Sequence, residues 1–274
     1  MKIGVYTNLN KDYDSATAKE FLSILQQKGV SYKFYSDRKK ESDTHEKLRE
    51  LTDGVDLLVA FGGDGTMLNI VPYCAVKNIP MLGVNLGHIG FLTEVNADKL
   101  DECADKLLEG DYVCEKRSMI SVENGDNSFI ALNEVVLAKT DNSTVCNIAV
   151  DIDGVRADKV RADGVMVSTP TGSTGYSLSC NGSILSPDLN ALIINAICPH
   201  SLHFCPMVIS DNSRVDLSSD SNDLRLTIDG KIVSFVEDPQ QITIKKCDYA
   251  ATFIRFEKSS FYSKLIKKLA YWGE

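Results

Sequence analysis

The stretch Phe61-Gly62-Gly63-Asp64-Gly65-Thr66 decides the fold of the first part of this chain. The apolar residues 57–61 predict a buried strand, and residues 67–71 can begin a helix. Glycines in this turn leave backbone amides open to a ligand, and amides at a helix N-terminus favour phosphates. Asp64 would repel a phosphate unless it binds magnesium or accepts a proton from an attacking hydroxyl. An ordinary turn from strand to helix, capped by Asp64, is the alternative at this point.

Strands and helices alternate through the first 112 residues. Strands are predicted at residues 2–7, 32–35, 55–61 and 79–84, and helices occupy the segments between them. This order predicts an α/β domain with an open, mostly parallel sheet, whose ligands bind beyond the carboxyl ends of the strands. A second glycine-bearing loop, Asn85–Phe91, lies at such an end. The charged residues 37–50 predict a solvated loop that runs into a helix.

The pattern changes near residue 112, where short strands with turn signals replace helical spacing. Asp153-Gly154 and Asp229-Gly230 are hairpin signals between apolar segments. We therefore expect a β-rich, antiparallel, sandwich-like C-terminal domain. Residues 263–272 have helical spacing again and predict a helix that packs back on the first domain. The predicted domains are 1–112 with 257–274, and 113–256.

Composition excludes several classes of protein. The net charge is −9 and the pI about 5.0, which argues against binding to nucleic acid or to an anionic membrane. The eight cysteines lack zinc or redox spacing, which is typical of a reducing cytosol. No signal peptide and no apolar run of about 18 residues is present. These features predict a cytoplasmic protein. His200 and His203 are interpreted as structural residues.

Two polar stretches stand out in the second half. Asn133-Glu134 interrupts the apolar residues 129–137, which we predict as one strand, so the two side chains would point to opposite faces. An amide and a carboxylate suit a ribose diol, whereas a structural cap or bulge is the alternative. Thr169–Ser179 is rich in Ser, Thr, Gly and Pro, and it predicts either a phosphate- or base-binding turn or a generic loop. Neither a Rossmann fingerprint nor a P-loop occurs.

Three motifs in this order, Gly62–Thr66, Asn133-Glu134 and Thr169–Ser179, closely resemble those of the NAD kinases, the ATP-NAD kinase family. The short chain resembles the bacterial form. The resemblance implies transfer of the ATP γ-phosphoryl group to the 2′-hydroxyl of the adenosine ribose of NAD, which makes NADP. It also implies Mg²⁺, a two-domain subunit with the site between the domains, and a homodimer or homotetramer. Acceptance of NADH and use of polyphosphate stay open.

The resemblance further implies roles for individual residues. Asp64 would be the general base, and Gly65 would line the same site. Asn133 and Glu134 would hold the adenosine ribose. No residue is assigned as a metal ligand. The remaining expected ligand contacts are Arg161, Asp163, Thr174, Gly175, Tyr176, Ser177, Leu178 and Ser179, with Phe91, His88 and Lys231 as weaker candidates.

Some positions depart from the family pattern. Gly175 stands where many relatives have alanine, Cys205 where arginine is common, and Lys231 where glutamine or histidine is common. Two other functions also compete. One is a lipid kinase of the diacylglycerol type with the same glycine-aspartate turn, against which the acidic charge argues. The other is a catalytically silent dinucleotide-binding regulator, against which Asp64 argues.

Overall fold

The computed structural model describes residues 1–37, 44–87, 90–140, 145–201, 204–220, 223–236, 241–256 and 261–272. The chain divides into two compact units, which are described separately below. The first unit contains residues 1–116 and 250–274, and the second contains residues 117–249. The domain limits predicted from the sequence, 1–112 with 257–274 and 113–256, remain a proposal.

The first part of the chain alternates strands and helices, as its sequence predicts. Its elements are β1 (Lys2–Asn8), α1 (Ala16–Gln27), β2 (Ser31–Asp37), α2 (Thr44–Leu51), β3 (Leu57–Gly62), α3 (Asp64–Val76), β4 (Met81–Asn85), β5 (Val95–Asn96) and α4 (Leu100–Glu109). The strand order β2-β1-β3-β4 is parallel throughout.

The core of the first unit follows from the alternation of side chains along the strands. Leu57, Val59 and Phe61 of β3 join one cluster with the buried faces of α1 and α4. Leu58 and Ala60 point to the opposite face of the sheet and are also buried. Helices α2 and α3 contact each other, and α3 contacts β3 and β4. The glycine turn therefore follows the carboxyl end of β3, in a sheet that is buried on both faces.

The second part is built almost entirely from strands. They are β6 (Val113–Asn124), β7 (Asn127–Ala131), β8 (Glu134–Lys139), β9 (Cys146–Ile152), β10 (Val155–Ala162), β11 (Gly164–Ser168), β12 (Ala191–Ile197), β13 (Met207–Ser210), β14 (Val215–Ser219), β15 (Leu224–Ile228), β16 (Lys231–Val236) and β17 (Ile242–Arg255). The helices are the short α5 (Tyr176–Ser179) and α6 (Phe261–Trp272).

The second unit is a sandwich of two antiparallel layers. One layer has the order β13-β12-β11-β8-β15-β16, and the other contains β10-β9-β14 and the first part of β17. A single apolar cluster contains residues of both layers, such as Val135 and Val167 from the first and Ile148 and Leu217 from the second. The sequence-based fold class is thus confirmed in both parts of the chain.

The end of the last strand, from residue 250, and the last helix of the chain belong to the first unit. Phe253 of β17 pairs with Met81 of β4, and Lys264 of α6 donates a hydrogen bond to the carbonyl oxygen of Thr93. The predicted packing of the terminal helix on the first domain is therefore confirmed. In the part of the chain that the structure describes, no helix has the length and apolar character needed to cross a membrane.

Several element limits differ from the sequence prediction. Residues 129–137 form two strands rather than one, because β7 pairs with β6 whereas β8 pairs with β11 and β15. Helix α3 begins at Asp64 rather than at residue 67 and continues through Pro72. Strands β12 and β13 were not predicted. Part of the charged segment 37–50, residues 38–43, lies outside the described residues.

Candidate functional site

The glycine turn places Asp64 in the first turn of α3, directly after β3. Gly62 has φ of +155°, and a Cβ there would lie 2.2 Å from Oγ1 of Thr66. Gly65 is exposed, and a Cβ at its position would meet no atom within 4 Å. The close approach to Thr66 explains why residue 62 is a glycine. At Gly65, by contrast, the space around the start of the helix is open.

The carboxylate of Asp64 is held by the second glycine-bearing loop. The backbone N–H of Phe91 donates to Oδ2 at 2.9 Å, and that of Leu92 donates to Oδ1 at 3.0 Å. A Cβ on Gly90 would lie 2.1 Å from Oδ1, so glycine is required for this approach. The two amides fix the orientation of Asp64.

A buried ionic network lies beneath that loop. Arg255 of β17 is 3% exposed and donates to the carbonyl oxygens of Phe91 and Leu92 at 3.3 and 3.1 Å. It also pairs with Glu94 at 3.2 Å and Glu115 at 2.6 Å. These contacts join segments that are far apart in the sequence and hold the loop that binds Asp64.

Helix α6 contributes two lysines, one turn apart, to the same loop. Lys264 donates to Glu94 Oε2 at 3.1 Å, and burial lowers the pKa of Lys264. Lys268 Nζ lies 3.5 Å from Asp64 Oδ2 and 4.3 Å from the ring centroid of Phe91. Phe91 itself is buried. Sequence reasoning missed both lysines, although their spacing of four residues on a helix predicts a shared face.

In the second unit, Asn133 lies between β7 and β8, and Glu134 begins β8. Their backbone N–H groups, with that of Leu132, donate to the carboxylate of Asp229 at 2.7, 3.2 and 2.9 Å respectively. Asp229 (φ +46°) and Gly230 (φ +75°) are the two left-handed residues of the turn between β15 and β16. The hairpin signal at Asp229-Gly230 predicted this turn but not its contact with the Asn-Glu pair.

Glu134 is a buried carboxyl group without a protein partner on one oxygen. It is 6% exposed, and no described group forms a hydrogen bond with Oε2. Burial, and secondly the charge of Asp229, raises the pKa of Glu134 to about 7. Burial raises the pKa of Asp229 as well. An unsatisfied buried carboxyl is costly, so Glu134 is suited to hydroxyl groups of a ligand.

A cavity of about 590 Å³ adjoins Glu134 within the second unit. Its apolar wall includes Val136 and Ala138, which belong to a small buried cluster. An ion pair joins Lys139 Nζ to Asp163 Oδ1 at 2.7 Å. The full lining is Glu134, Val136, Ala138, Lys139, Thr140, Asp163, Tyr176, Ile197, Arg225, Thr227, Gly230 and Ile232. The cavity is lined by apolar residues, one aromatic residue and four charged residues, so it offers both apolar and polar contacts to a small molecule.

The turn that contains α5 approaches the Asn-Glu pair closely. A Cβ on Gly172 would lie 2.2 Å from the carbonyl oxygen of Asn133, and one on Gly175 would lie 3.6 Å from Glu134 Oε2. Tyr176 is 44% exposed and lines the cavity. Ser177 is buried and accepts a hydrogen bond from Asn195 Nδ2 at 3.0 Å. Within this turn, Tyr176 therefore lines the cavity, whereas Gly172 and Ser177 pack against the rest of the second unit.

The structure sorts the predicted ligand contacts by position. Glu134, Asp163 and Tyr176 line the cavity, whereas Arg161, Lys231 and the other predicted residues of the α5 turn do not. The buried hydroxyl of Thr174 donates to the carbonyl oxygen of Thr171 at 3.4 Å. Leu178 is partly buried, and Ser179 is exposed. His88 lies outside the described residues, as does His203.

Comparisons with known proteins match almost the whole chain. The ATP-NAD kinase N-terminal domain matches residues 3–112, and the ATP-NAD kinase C-terminal domain matches residues 132–256. The chain belongs to the ATP-NAD kinase family. An NAD kinase of Caldanaerobacter subterraneus subsp. tengcongensis is 36% identical over 98% of both chains. One of Caldicellulosiruptor saccharolyticus is 31% identical over 98% of this chain and 99% of its own.

Solved structures of the family have the same fold. An NAD kinase from Archaeoglobus fulgidus in complex with ATP has a TM-score of 0.80 and 26% identity, over 98% of this chain and 99% of its own. Yeast NADH kinase complexed with NADH has a TM-score of 0.87 and 22% identity, over 98% of this chain and 87% of its own. Family membership confirms the resemblance seen in the sequence motifs. Neither the lipid-kinase nor the silent-regulator alternative gains support from these comparisons.

Proposed function

We propose that this chain transfers the γ-phosphoryl group of ATP to the 2′-hydroxyl of the adenosine ribose of NAD and so produces NADP. The observation that carries the proposal is the carboxylate of Asp64, held by the N–H groups of Phe91 and Leu92 in the first turn of α3. This turn combines the start of a helix, where Gly65 is exposed, with a carboxylate held in one orientation. Phosphoryl transfer needs both kinds of group in one place.

The proposed chemistry begins with the hydroxyl proton. Asp64 would orient the 2′-hydroxyl and accept its proton as the oxygen attacks the γ-phosphorus and the bond to ADP breaks. Because the transition state is loose, most of the acceleration comes from positioning and charge neutralisation. The N–H groups that hold both oxygens of Asp64 limit its motion and so favour a single orientation.

The second unit would bind the dinucleotide. Glu134 would accept a hydrogen bond from the ribose diol, because its Oε2 has no described partner and the residue lines the cavity. The side-chain amide of Asn133 would donate a hydrogen bond to the diol. Tyr176 offers an aromatic face for a base. Arg161, Asp163, Gly175, Leu178, Ser179 and Lys231 remain proposed contacts. Thr174 and Ser177 would act chiefly by shaping the turn, because their hydroxyls bond within it or to Asn195.

Mg²⁺ is proposed as the companion of ATP rather than as a resident ion. Among the residues that the structure describes, no three His, Cys, Asp or Glu side chains come together as metal ligands. Magnesium in kinase sites is held by one or two carboxylates together with substrate phosphates. No residue of this chain is assigned as its ligand, because Asp64 is proposed as the proton acceptor. When bound, the ion would offset the charge of the phosphates.

The wider setting is also proposed from the family and the composition. We infer a cytoplasmic homodimer or homotetramer whose partners are the substrates ATP and NAD. The net charge of −9 gives no general attraction for nucleic acid or anionic lipid.

The proposal is tested by incubating the purified protein with NAD, ATP and Mg²⁺ and coupling product formation to a dehydrogenase that uses only NADP. We expect steady production of NADP in the complete mixture. In the control reactions, which omit ATP or Mg²⁺, no NADP should form. NAD binding without NADP formation would instead favour the regulator. Phosphorylation of diacylglycerol in vesicles, with none of NAD, would favour the lipid kinase.

A further inference from the structure

Helix α6 places a positive charge beside the proposed base. Lys268 Nζ lies 3.5 Å from Oδ2 of Asp64, and the two side chains are 23% and 28% exposed. A charge-assisted hydrogen bond between such groups is normally about 2.7–2.9 Å long. The pair is therefore a loose ion pair, in which the ammonium can move without first breaking a short bond.

The position of Lys268 is maintained by contacts on both sides. Its ammonium lies 4.3 Å from the ring centroid of Phe91, and that ring packs at 5.9 Å against Phe261 of the same helix. One turn earlier, Lys264 donates to Thr93 O and to Glu94 Oε2. Helix α6 is thus fixed to the loop that holds Asp64, and its second lysine reaches the carboxylate itself.

The N–H groups of Phe91 and Leu92 already fix the orientation of the Asp64 carboxylate. The ammonium of Lys268 therefore contributes mainly its positive charge. A carboxylate beside a triphosphate meets strong like-charge repulsion, which opposes the approach of ATP. A cation that contacts the carboxylate loosely can offset that repulsion and can also move toward the phosphates. Lysine is suited to this role because its ammonium is a point charge on a flexible stem.

We propose that Lys268 is a positioning residue for phosphoryl transfer, whose ammonium pairs with Asp64 before ATP arrives and then neutralises the triphosphate beside that carboxylate. This inference rests on the proposed function, since it assigns the triphosphate to the Asp64 turn. It adds helix α6 to the machinery, which the sequence motifs of the turns and of the Asn-Glu pair do not include.

The test compares Lys268→Met with Lys267→Met. Lys267 is the neighbouring exposed residue of α6, so its variant removes the same charge from the same helix away from Asp64. We expect Lys268→Met to lower kcat at least tenfold and to raise the Kd of ATP about tenfold, with the KM for NAD within twofold. Lys267→Met should match the wild type, and Lys268→Arg should recover most of the lost kcat.

Two results would overturn the inference. One is a kcat and ATP Kd of Lys268→Met within twofold of the wild type. The other is an equal loss in Lys267→Met, which would assign the effect to the charge or stability of the helix. Calorimetric ATP binding is measured independently of turnover. If the wild type made no NADP, the proposed function would fail, and the ATP Kd of the two variants would still judge the role of Lys268.

Discussion

Glu134 is the buried carboxyl group on which the proposed ribose contact depends. Its backbone is fixed by Asp229, while its side-chain Oε2 has no described partner and adjoins a cavity of about 590 Å³. A ligand hydroxyl that donates to this oxygen would relieve the cost of leaving it unsatisfied. The site is therefore suited to a polyhydroxyl group rather than to a second anion.

Replacing Glu134 by glutamine should weaken the binding of NAD more than that of ATP. At pH 8, above the raised pKa of Glu134, the amide keeps the size of the side chain but loses the charged acceptor, a change worth about 1–3 kcal/mol, or roughly 5- to 150-fold in Kd. Isothermal titration with each nucleotide measures the difference. An unchanged Kd for NAD would remove Glu134 from the ribose contact.

Glu134 should also make stability depend on pH. Burial raises its pKa from 4.5 to about 7, so the folded state binds the proton more tightly than the unfolded chain does. Its contribution is complete below pH 4.5 and is lost as pH rises through 7, by about 3 kcal/mol in total. Urea unfolding between pH 5 and 8 should show a steeper loss for the wild type than for Glu134→Gln. Parallel curves for the two proteins would contradict this assignment.

At the scale of elements, the α5 turn and the break between β7 and β8 depend on each other. The backbone N–H of Thr169 donates to Asn133 O at 2.9 Å, and its hydroxyl donates to Leu132 O at 2.5 Å. Gly172 passes so close to Asn133 that no side chain fits between them. The turn therefore supports the Asn-Glu pair as well as lining the cavity.

The Gly172→Ala variant should lower the free energy of unfolding by about 1–3 kcal/mol, because its Cβ would lie 2.2 Å from the backbone oxygen of Asn133. Gly175→Ala is the matched control in the same turn, since its Cβ would lie 3.3 Å from the nearest backbone atom, the carbonyl oxygen of Gly172. Chemical denaturation of both variants measures the difference. Equal stability of the two would contradict the packing described for this turn.

Elements with a strong local pattern were predicted from the sequence. The prediction failed where contacts with a distant segment determine the limits of a strand. The run 129–137 is apolar on both sides of Asn133-Glu134, and the polar pair alone does not decide between one continuous strand and two strands. The boundary arises because Asp229, far along the chain, binds three consecutive N–H groups. Strand β12 was missed because its apolar residues carry no period-two alternation, as expected for a strand buried on both faces.

At the scale of the whole molecule, the first unit is joined by charges as well as by its apolar core. Arg255 connects β17 with the loop 90–94 and with Glu115. Sequence patterns indicated the Asp64 turn and the terminal helix separately, since each has a local signature. They could not indicate that α6 and Arg255 meet at the loop that holds Asp64, because ion pairs between distant segments leave no periodic signal.

Arg255→Met should therefore be strongly destabilising. The change leaves Glu94, which is 8% exposed on its side chain, without one of its cations, and breaking a buried pair costs about 3–5 kcal/mol. Lys28→Met is the control, since Lys28 forms an exposed pair with Asp105 and its loss should leave stability nearly unchanged. Thermal unfolding compares the two variants. Similar midpoints would show that the Arg255 network is not needed for stability.

The central claim is that Asp64 is the proton acceptor in the phosphorylation of NAD, and Asp64→Asn tests it most directly. The variant keeps the shape of the side chain and an oxygen acceptor for one of the two loop N–H groups. We predict a fall in kcat of about 10²–10⁴-fold with the Kd of NAD within twofold of the wild type. Turnover close to that of the wild type, with NAD still bound, would contradict the account.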